Sequence, residues 1–314
     1  MDAQTAWPEL PFAALQPTAE TLQLWTQVVG KARLACTPWL NHSWHAPLYV
    51  SARGLTTSLI PHGRAGFEME FDFIAGALLI RVSDGGEARI PLRPGAVADF
   101  HAAVLQALAG LGLAIAIHGA PNEIVGAIPF ARDTRRRPYD PDMARAFWRA
   151  LVQIDRVFTR FRTRFIGKTS PIHFFWGSAD LAVTRFSGRR APPHPGGIPN
   201  LPDAVTREAY SHEVSSAGFW AGDDRTPEPS FYSYAYPTPA GFGEAPVQPV
   251  GARFDTTLGE FLLPYDQVRN APDPDAALLA FLQATYEAAA DLSGWDRAAL
   301  EREEGPVGRP PSEF

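Results

Sequence analysis

A pattern that occurs twice constrains this chain more than any other feature. Trp25-Thr-Gln-Val-Val-Gly30-Lys31 ends an amphipathic segment and is followed by Asn41-His42-Ser43-Trp44-His45 and a strand-like run that ends at Arg53. Phe158-Thr-Arg-Phe-Arg-Thr-Arg-Phe-Ile-Gly167-Lys168 restates it, with His173, Trp176 and a second strand-like run that reaches Arg185. An internal repeat sets architecture before any local feature does. It divides the chain into two related halves, 1–138 and 139–314. Each half is expected to hold a helix, a four-stranded antiparallel sheet and a second helix, with a pseudo-twofold axis between the halves.

Thr18 is placed to cap a first helix over 18–29, whose apolar face carries Leu22, Trp25 and Val28. Strands follow at 48–53, 67–73, 77–82 and 88–91. Ser83-Asp84-Gly85-Gly86 is a hairpin turn, because glycine supplies the positive φ of a primed turn. A helix is expected over 97–111 and a strand over 113–117. In the second half Asp140-Pro141 sets an N-cap before a proline at the first helical position, opening a helix that runs to 161. Strands at 173–186, 211–220, 230–236 and 260–263 precede a last helix over 275–292. Successive strands without crossover helices require antiparallel sheets, so the class is α+β. Two such sheets either face one another or fuse at an edge, and pockets form where related halves meet.

Composition narrows the function classes. With 46% hydrophobic and 20% charged residues the chain is globular. A net charge of −6 argues against nucleic acid and acidic membrane surfaces as partners. No apolar run reaches the length of a membrane span. Cys36 is the single cysteine, which excludes an intramolecular disulfide. The opening Met1-Asp-Ala-Gln-Thr-Ala-Trp-Pro lacks a basic segment before an apolar core, so a cytoplasmic protein is expected. Proline and glycine concentrate at 190–202 and 227–249, which read as long ordered loops of the kind that carry binding residues. The tail 304–314 is expected to fray or drape.

The chemistry concentrates in 168–213. A buried strand bearing His173, Asp180 and Arg185 departs from a Val/Ile/Leu composition, and buried charges need partners. In an acid–base reading His173, Asp180, His212 and Glu213 are the catalytic set, a carboxylate orienting an imidazole. In an anion reading Lys168, Arg185 and Arg189, with Lys31 and Arg53 from the first half, hold an anionic small molecule. Tyr210 and Trp176 complete that binding surface. In a metal reading His173, His212, Glu213 and His194 supply ligands of the kind zinc or iron takes, at scattered spacings. The Gly-Lys pairs lack the spacing of a phosphate-binding loop.

Strand parity tests these groupings. If 173–186 is one straight strand, His173, Val183 and Arg185 share a face and Trp176, Asp180 and Thr184 the other. A bulge at Gly177 brings His173 and Asp180 together instead. His212 and Glu213 must point to opposite faces. The aromatic run Phe231-Tyr-Ser-Tyr-Ala-Tyr236 fits either core or pocket wall. His42 and His45, flanking Trp44, are either surface groups or project toward the other half's site, while His62, His101 and His118 read as peripheral.

Several strings resemble a widespread, mainly bacterial family of uncharacterised proteins, a domain of unknown function. They are Gly167-Lys-Thr-Ser-Pro-Ile-His-Phe-Phe-Trp-Gly-Ser-Ala-Asp-Leu-Ala182, Thr184-Arg-Phe-Ser-Gly-Arg189 and Tyr210-Ser-His-Glu-Val-Ser-Ser-Ala-Gly-Phe-Trp220. The resemblance extends over nearly the full chain and implies one full-length family member, without an activity, cofactor or catalytic residue. The residues themselves lead to an enzyme acting on a small anionic substrate, its reaction type and metal dependence open. The competing expectation is a non-catalytic ligand-binding or assembly protein in which the cluster is a salt-bridge network.

Overall fold

The computed structural model describes residues 6–309; Met1–Thr5 and the Pro310–Phe314 part of the expected tail lie outside the described residues. Helix α1 (Phe12–Cys36) is longer than expected at both ends and holds Pro17 within it. Thr18 is not its cap: the Thr18 hydroxyl accepts the Asp140 N–H at 2.9 Å and ties the two halves together.

The first sheet comprises β1 (Tyr49–Val50), β2 (Gly54–Thr56), β3 (Ile60–His62), β4 (Ala65–Asp72), β5 (Ala77–Val82) and β6 (Glu87–Pro91). Its order is β1-β2-β4-β5-β6, with β3 also on β4. The 83–86 turn forms as expected, Val82 N–H reaching Gly86 O at 2.8 Å with Gly85 at φ 98°. Strand β7 (Gly95–Ala96) leads into helix α2 (Val97–Gly110). Residues 113–117 form no strand. Strand β8 (Arg136–Arg137) pairs with β7.

Helix α3 (Pro141–Thr163) starts where Asp140-Pro141 placed it, the Asp140 carboxylate accepting Asp142 N–H at 2.8 Å. The second sheet comprises β9 (His173–Phe175), β10 (Asp180–Arg190), β11 (His212–Trp220), β12 (Ser230–Tyr236), β13 (Arg253–Asp255) and β14 (Glu260–Pro264). Its order is β13-β14-β12-β11-β10-β9, antiparallel throughout. Helix α4 (Asp203–Ala209) interrupts the loop between β10 and β11. Short α5 (Tyr265–Arg269), long α6 (Pro274–Leu292) and α7 (Arg297–Leu300) close the chain.

The class is therefore α+β with antiparallel sheets, and each large sheet has six strands where four were expected. Each is built from one half of the chain. They meet at their edges through one antiparallel bridge, Leu48 to Phe174, with both N–H to O contacts at 2.9 Å. A continuous core spans both halves, and α3 packs on α1, on α6 and against β1 and β10.

The repeated motif does not occupy equivalent backbone. Gly30-Lys31 lies inside α1, whereas Gly167-Lys168 follows the end of α3. Trp44 follows a 3₁₀ turn, and Trp176 sits in a hairpin turn. The physical reason lies in packing. A Cβ on Gly30 would stand 2.3 Å from the Trp176 indole, so this glycine serves a close contact and not a helix end.

Candidate functional site

Period-two alternation gives the second sheet two different faces. Leu181, Val183 and Arg185 of β10 turn to the helices with Ala217 and Phe219 of β11 and Phe231 of β12. Ala182, Thr184 and Phe186, with Val214, Ser216, Tyr232 and Tyr234, turn the other way and floor a cavity of about 1020 Å³. Its roof comes from the 39–46 segment, the 118–123 loop, α4 and the 198–202 loop before it. Lys31 of α1 completes one wall.

The run 173–186 is not one strand. A turn over 176–179, with Ala179 at φ 58°, folds β9 back on β10 and sets Asp180 opposite Phe175 and Ala182 opposite His173. Asp180 thus sits at the mouth of the hairpin, 7% exposed, where its carboxylate accepts hydrogen bonds from the Ser178 and Tyr232 hydroxyls. The Tyr232 ring reaches it by lying over Gly218, where a Cβ would come within 2.3 Å of the ring and hydroxyl. Next along β12, Tyr234 shares a 2.7 Å hydrogen bond with Tyr210, and Thr184 shares one of 2.8 Å with Ser216.

Two further carboxyl groups complete the acidic end. Glu123 comes from the 118–123 loop, and a Cβ on Gly177 would stand 1.9 Å from its Oε1, so glycine there makes room for the carboxyl group. Gln27 of α1, fully buried, accepts Asn122 N–H at 2.7 Å and donates to Asn122 O at 3.0 Å and Gly177 O at 3.3 Å. One side chain thereby fixes both the loop carrying Glu123 and the turn preceding Asp180. Glu260 enters from the start of β14. Among the described residues no hydrogen-bond donor reaches the carboxyl group of Glu123 or Glu260. Lys31 donates to Asn122 Oδ1 and lies 5.4 Å from the Trp176 ring centre.

Burial sets the electrostatics. It pushes Glu123 up to about 7, reinforced by Asp180 and opposed by Lys31. Glu260 is likewise raised to about 7, by burial and then by Asp180 and Asp255. Asp180 is raised by burial against the two hydroxyl donors. Lys31 is lowered to about 8 by burial, with Glu123 working the other way. Tyr210 is pushed up to about 12 by burial, so its phenol stays protonated.

Of the residues expected in a site, Lys31, Trp176, Asp180 and Tyr210 line this cavity. The anion clamp does not assemble. Arg185 is fully buried on the helix side of the sheet, 3.5 Å from the Phe161 ring centre and 4.3 Å from that of Tyr286. Arg189 pairs with Glu213 at 2.7 Å and also donates to Ser293 O. Arg53 pairs with Asp72 at 2.5 Å on the first sheet. Lys168 donates to His42 Nε2 at 2.6 Å, behind the cavity wall.

Nor do the expected histidines converge. His173 shares the cavity face of its sheet but lies beneath Trp44 and Tyr49, at ring distances of 5.9 and 5.6 Å. Burial, with Arg33 and Arg162 nearby, lowers it to about 3, so it is a neutral core histidine. His212 packs edge-on to His42 at 5.8 Å, and His194 stacks on Tyr210 at 4.8 Å. With Glu213 committed to Arg189, the set His173, His194, His212 and Glu213 does not fit one zinc or iron ion. Among the described residues no three His, Cys, Asp or Glu side chains form a metal-ligand group.

Sequence reasoning missed Glu123, Glu260, Gln27 and Asn122, and set His118 aside although it lines the cavity. His42 and His45 do project into the other half's site. The available signals were a glutamate opening an apolar strand, Glu260-Phe-Leu-Leu, and the tyrosines at every second position of 232–236. Nothing local marked Glu123, which is brought in by a loop.

The chain belongs to a family of unknown function, DUF5996, whose sequence profile matches residues 7–302. No curated protein and no solved structure matches it. No helix of the described residues is long and apolar enough to cross a membrane.

Proposed function

We propose that this protein is an enzyme performing general acid–base chemistry on a small organic molecule held in the cavity. Glu123 and Glu260 are the proton-transferring pair, and Asp180 is the fixed carboxyl group between them in the electrostatic sense. One observation carries the reading. Three carboxyl groups from a loop, a hairpin and a third strand converge on a single aromatic-walled cavity, and among the described residues no hydrogen-bond donor reaches two of them. Both unpaired groups are half-buried, and carboxyl groups with raised pKa values that converge in a cleft are a recognised mark of a working site. A carboxyl group balanced near neutrality serves as acid or base with little driving-force loss.

Among the described residues the lining carries three carboxyl groups, one amine and no guanidinium, which favours a neutral or weakly polar substrate over the anionic one expected from the arginines. Trp39, Trp44, Trp176 and Phe175 supply flat apolar walls for a ring-bearing molecule. The arginine–carboxylate pairs Arg189–Glu213 and Arg53–Asp72 belong to the scaffold.

The test is stability. Groups kept unpaired for chemistry oppose folding, so Glu123→Gln and Glu260→Gln should each raise the melting temperature at pH 8 by several degrees. A fall of similar size in both variants would make these carboxyl groups structural and overturn the reading.

A further inference from the structure

Among the 28 lysines and arginines of the chain only Lys31 and Lys168 are lysines. Every other basic position, surface included, uses arginine. Arginine is permanently charged, whereas an amine can lose its proton and attack carbon. Lys31 lines the cavity and Lys168 stands behind its wall, and their surroundings differ.

Lys168 has a positioning task. His42 Nδ1 donates to Ala209 O at 2.7 Å, which leaves Nε2 as an acceptor for the Lys168 ammonium at 2.6 Å. The same ammonium covers the Phe186 and Trp44 rings at 4.7 and 5.1 Å. Burial lowers this amine as it lowers that of Lys31, but Lys168 does not line the cavity.

Lys31 is 3% exposed and does line it. Among the described residues no carboxylate comes within 4.0 Å of its amine, whose one hydrogen-bond partner is the neutral Asn122 amide oxygen. A buried amine without a counter-ion, beside an indole and facing a cavity, is the arrangement that exposes a nitrogen lone pair. Glu123 is near enough to act on its charge and carries a carboxyl group to which no described residue donates a hydrogen bond.

We propose that Lys31 is a nucleophile that forms an imine with an aldehyde or ketone bound in the cavity, Glu123 shuttling the protons. This rests on the reading of the cavity as an acid–base site. The neutral Nζ attacks the carbonyl carbon and the C=O π pair moves to oxygen, which takes the Glu123 proton. One Nζ proton passes to the Glu123 carboxylate, giving a neutral carbinolamine. Glu123 then protonates the hydroxyl group, the C–O bond breaks to release water, and the nitrogen lone pair closes the C=N bond. The products are a protonated imine, water and the Glu123 carboxylate, so charge and atoms balance without redox change. Hydrolysis reverses the sequence.

The small number of amines makes the test direct. Folded full-length protein is treated with benzaldehyde and sodium cyanoborohydride at pH 7, and the benzyl adducts are mapped by peptide mass spectrometry. The expected result is benzylation of Lys31 at least tenfold faster than of Lys168 or the N-terminal amine. Glu123→Gln should reduce the Lys31 rate about tenfold and leave the other two unchanged. Lys31 reacting no faster than the other amines would overturn the proposal. Benzyl alcohol, which has no carbonyl group, separates the two readings through its effect on melting temperature. If it stabilises the protein while Lys31 stays unlabelled, the cavity reading stands and the imine fails. If it neither stabilises nor slows benzylation of any amine, and Lys31 stays unlabelled, both fail.

Discussion

Three glycines shape the site through the side chains they admit. Gly30, Gly177 and Gly218 make room for Trp176, Glu123 and Tyr232 respectively, and an added methyl group would strike each at 2.3 Å or less. Gly218 is the most constrained, since a Cβ would also come within 2.6 Å of the Leu181 carbonyl oxygen, which is backbone and cannot swing aside. Gly218→Ala should therefore destabilise by about 1–3 kcal/mol, read as a lower urea midpoint. It should also break the Tyr232 hydrogen bond to Asp180, visible as a change in tyrosine fluorescence or ultraviolet absorption. A urea midpoint equal to that of the wild type would mean the ring has other room. At this scale the sequence was informative where a residue's chemistry was unusual for its surroundings, as with Asp180, and misleading where the same was true of Arg185. Both are buried charges in one strand, five positions apart. Parity sends them to opposite faces, and only packing tells which face holds the cavity.

At the level of elements, a turn and a loop are set by α1. Gln23 donates to Gly177 O at 2.7 Å, and Gln27 bridges Asn122 and Gly177. Glutamine can do this because its amide both donates and accepts. Gln27→Leu removes both functions and strands Asn122 N–H without its acceptor, which should cost about 1–3 kcal/mol. Hydrogen exchange should quicken at Asn122 and Glu123, with little change in β4 and β5. Unchanged exchange at those two amides would show that the loop is held by other contacts. The elements were legible in proportion to their local signals. The capped helix α3 and the alternating strands β4, β11 and β12 form where pattern placed them. The hairpin at 176–179 was read as strand because its flanks are continuously apolar, and apolar runs do not report direction reversals.

For the whole molecule, the acidic end of the cavity links stability to pH. Glu123 and Glu260 rise from 4.5 in the unfolded chain to about 7 in the native protein. Each is protonated more in the native state between those values, so stability is fully present below pH 4.5 and is lost as pH rises through 7. The loss is on the order of 3 kcal/mol for each group. Urea unfolding should therefore give a lower free energy at pH 8 than at pH 5, and the Glu123→Gln, Glu260→Gln double variant should flatten that slope. A slope unchanged in the double variant would place its origin elsewhere. The amino-acid sequence by itself determined the α+β class, the antiparallel sheets and the capped start of α3. These follow from periodicity, capping and turn chemistry, which act over a few residues. Tertiary structure alone decided that the sheets join at an edge, and that Arg185 and His173 are core. It also decided that Glu123, Asp180, Glu260 and Lys31 share one cavity. Those four come from a loop, a hairpin, a strand and a helix, up to 229 positions apart in the chain. Their proximity is set by the packing of α1 against the second sheet's hairpin, and no local pattern encodes it.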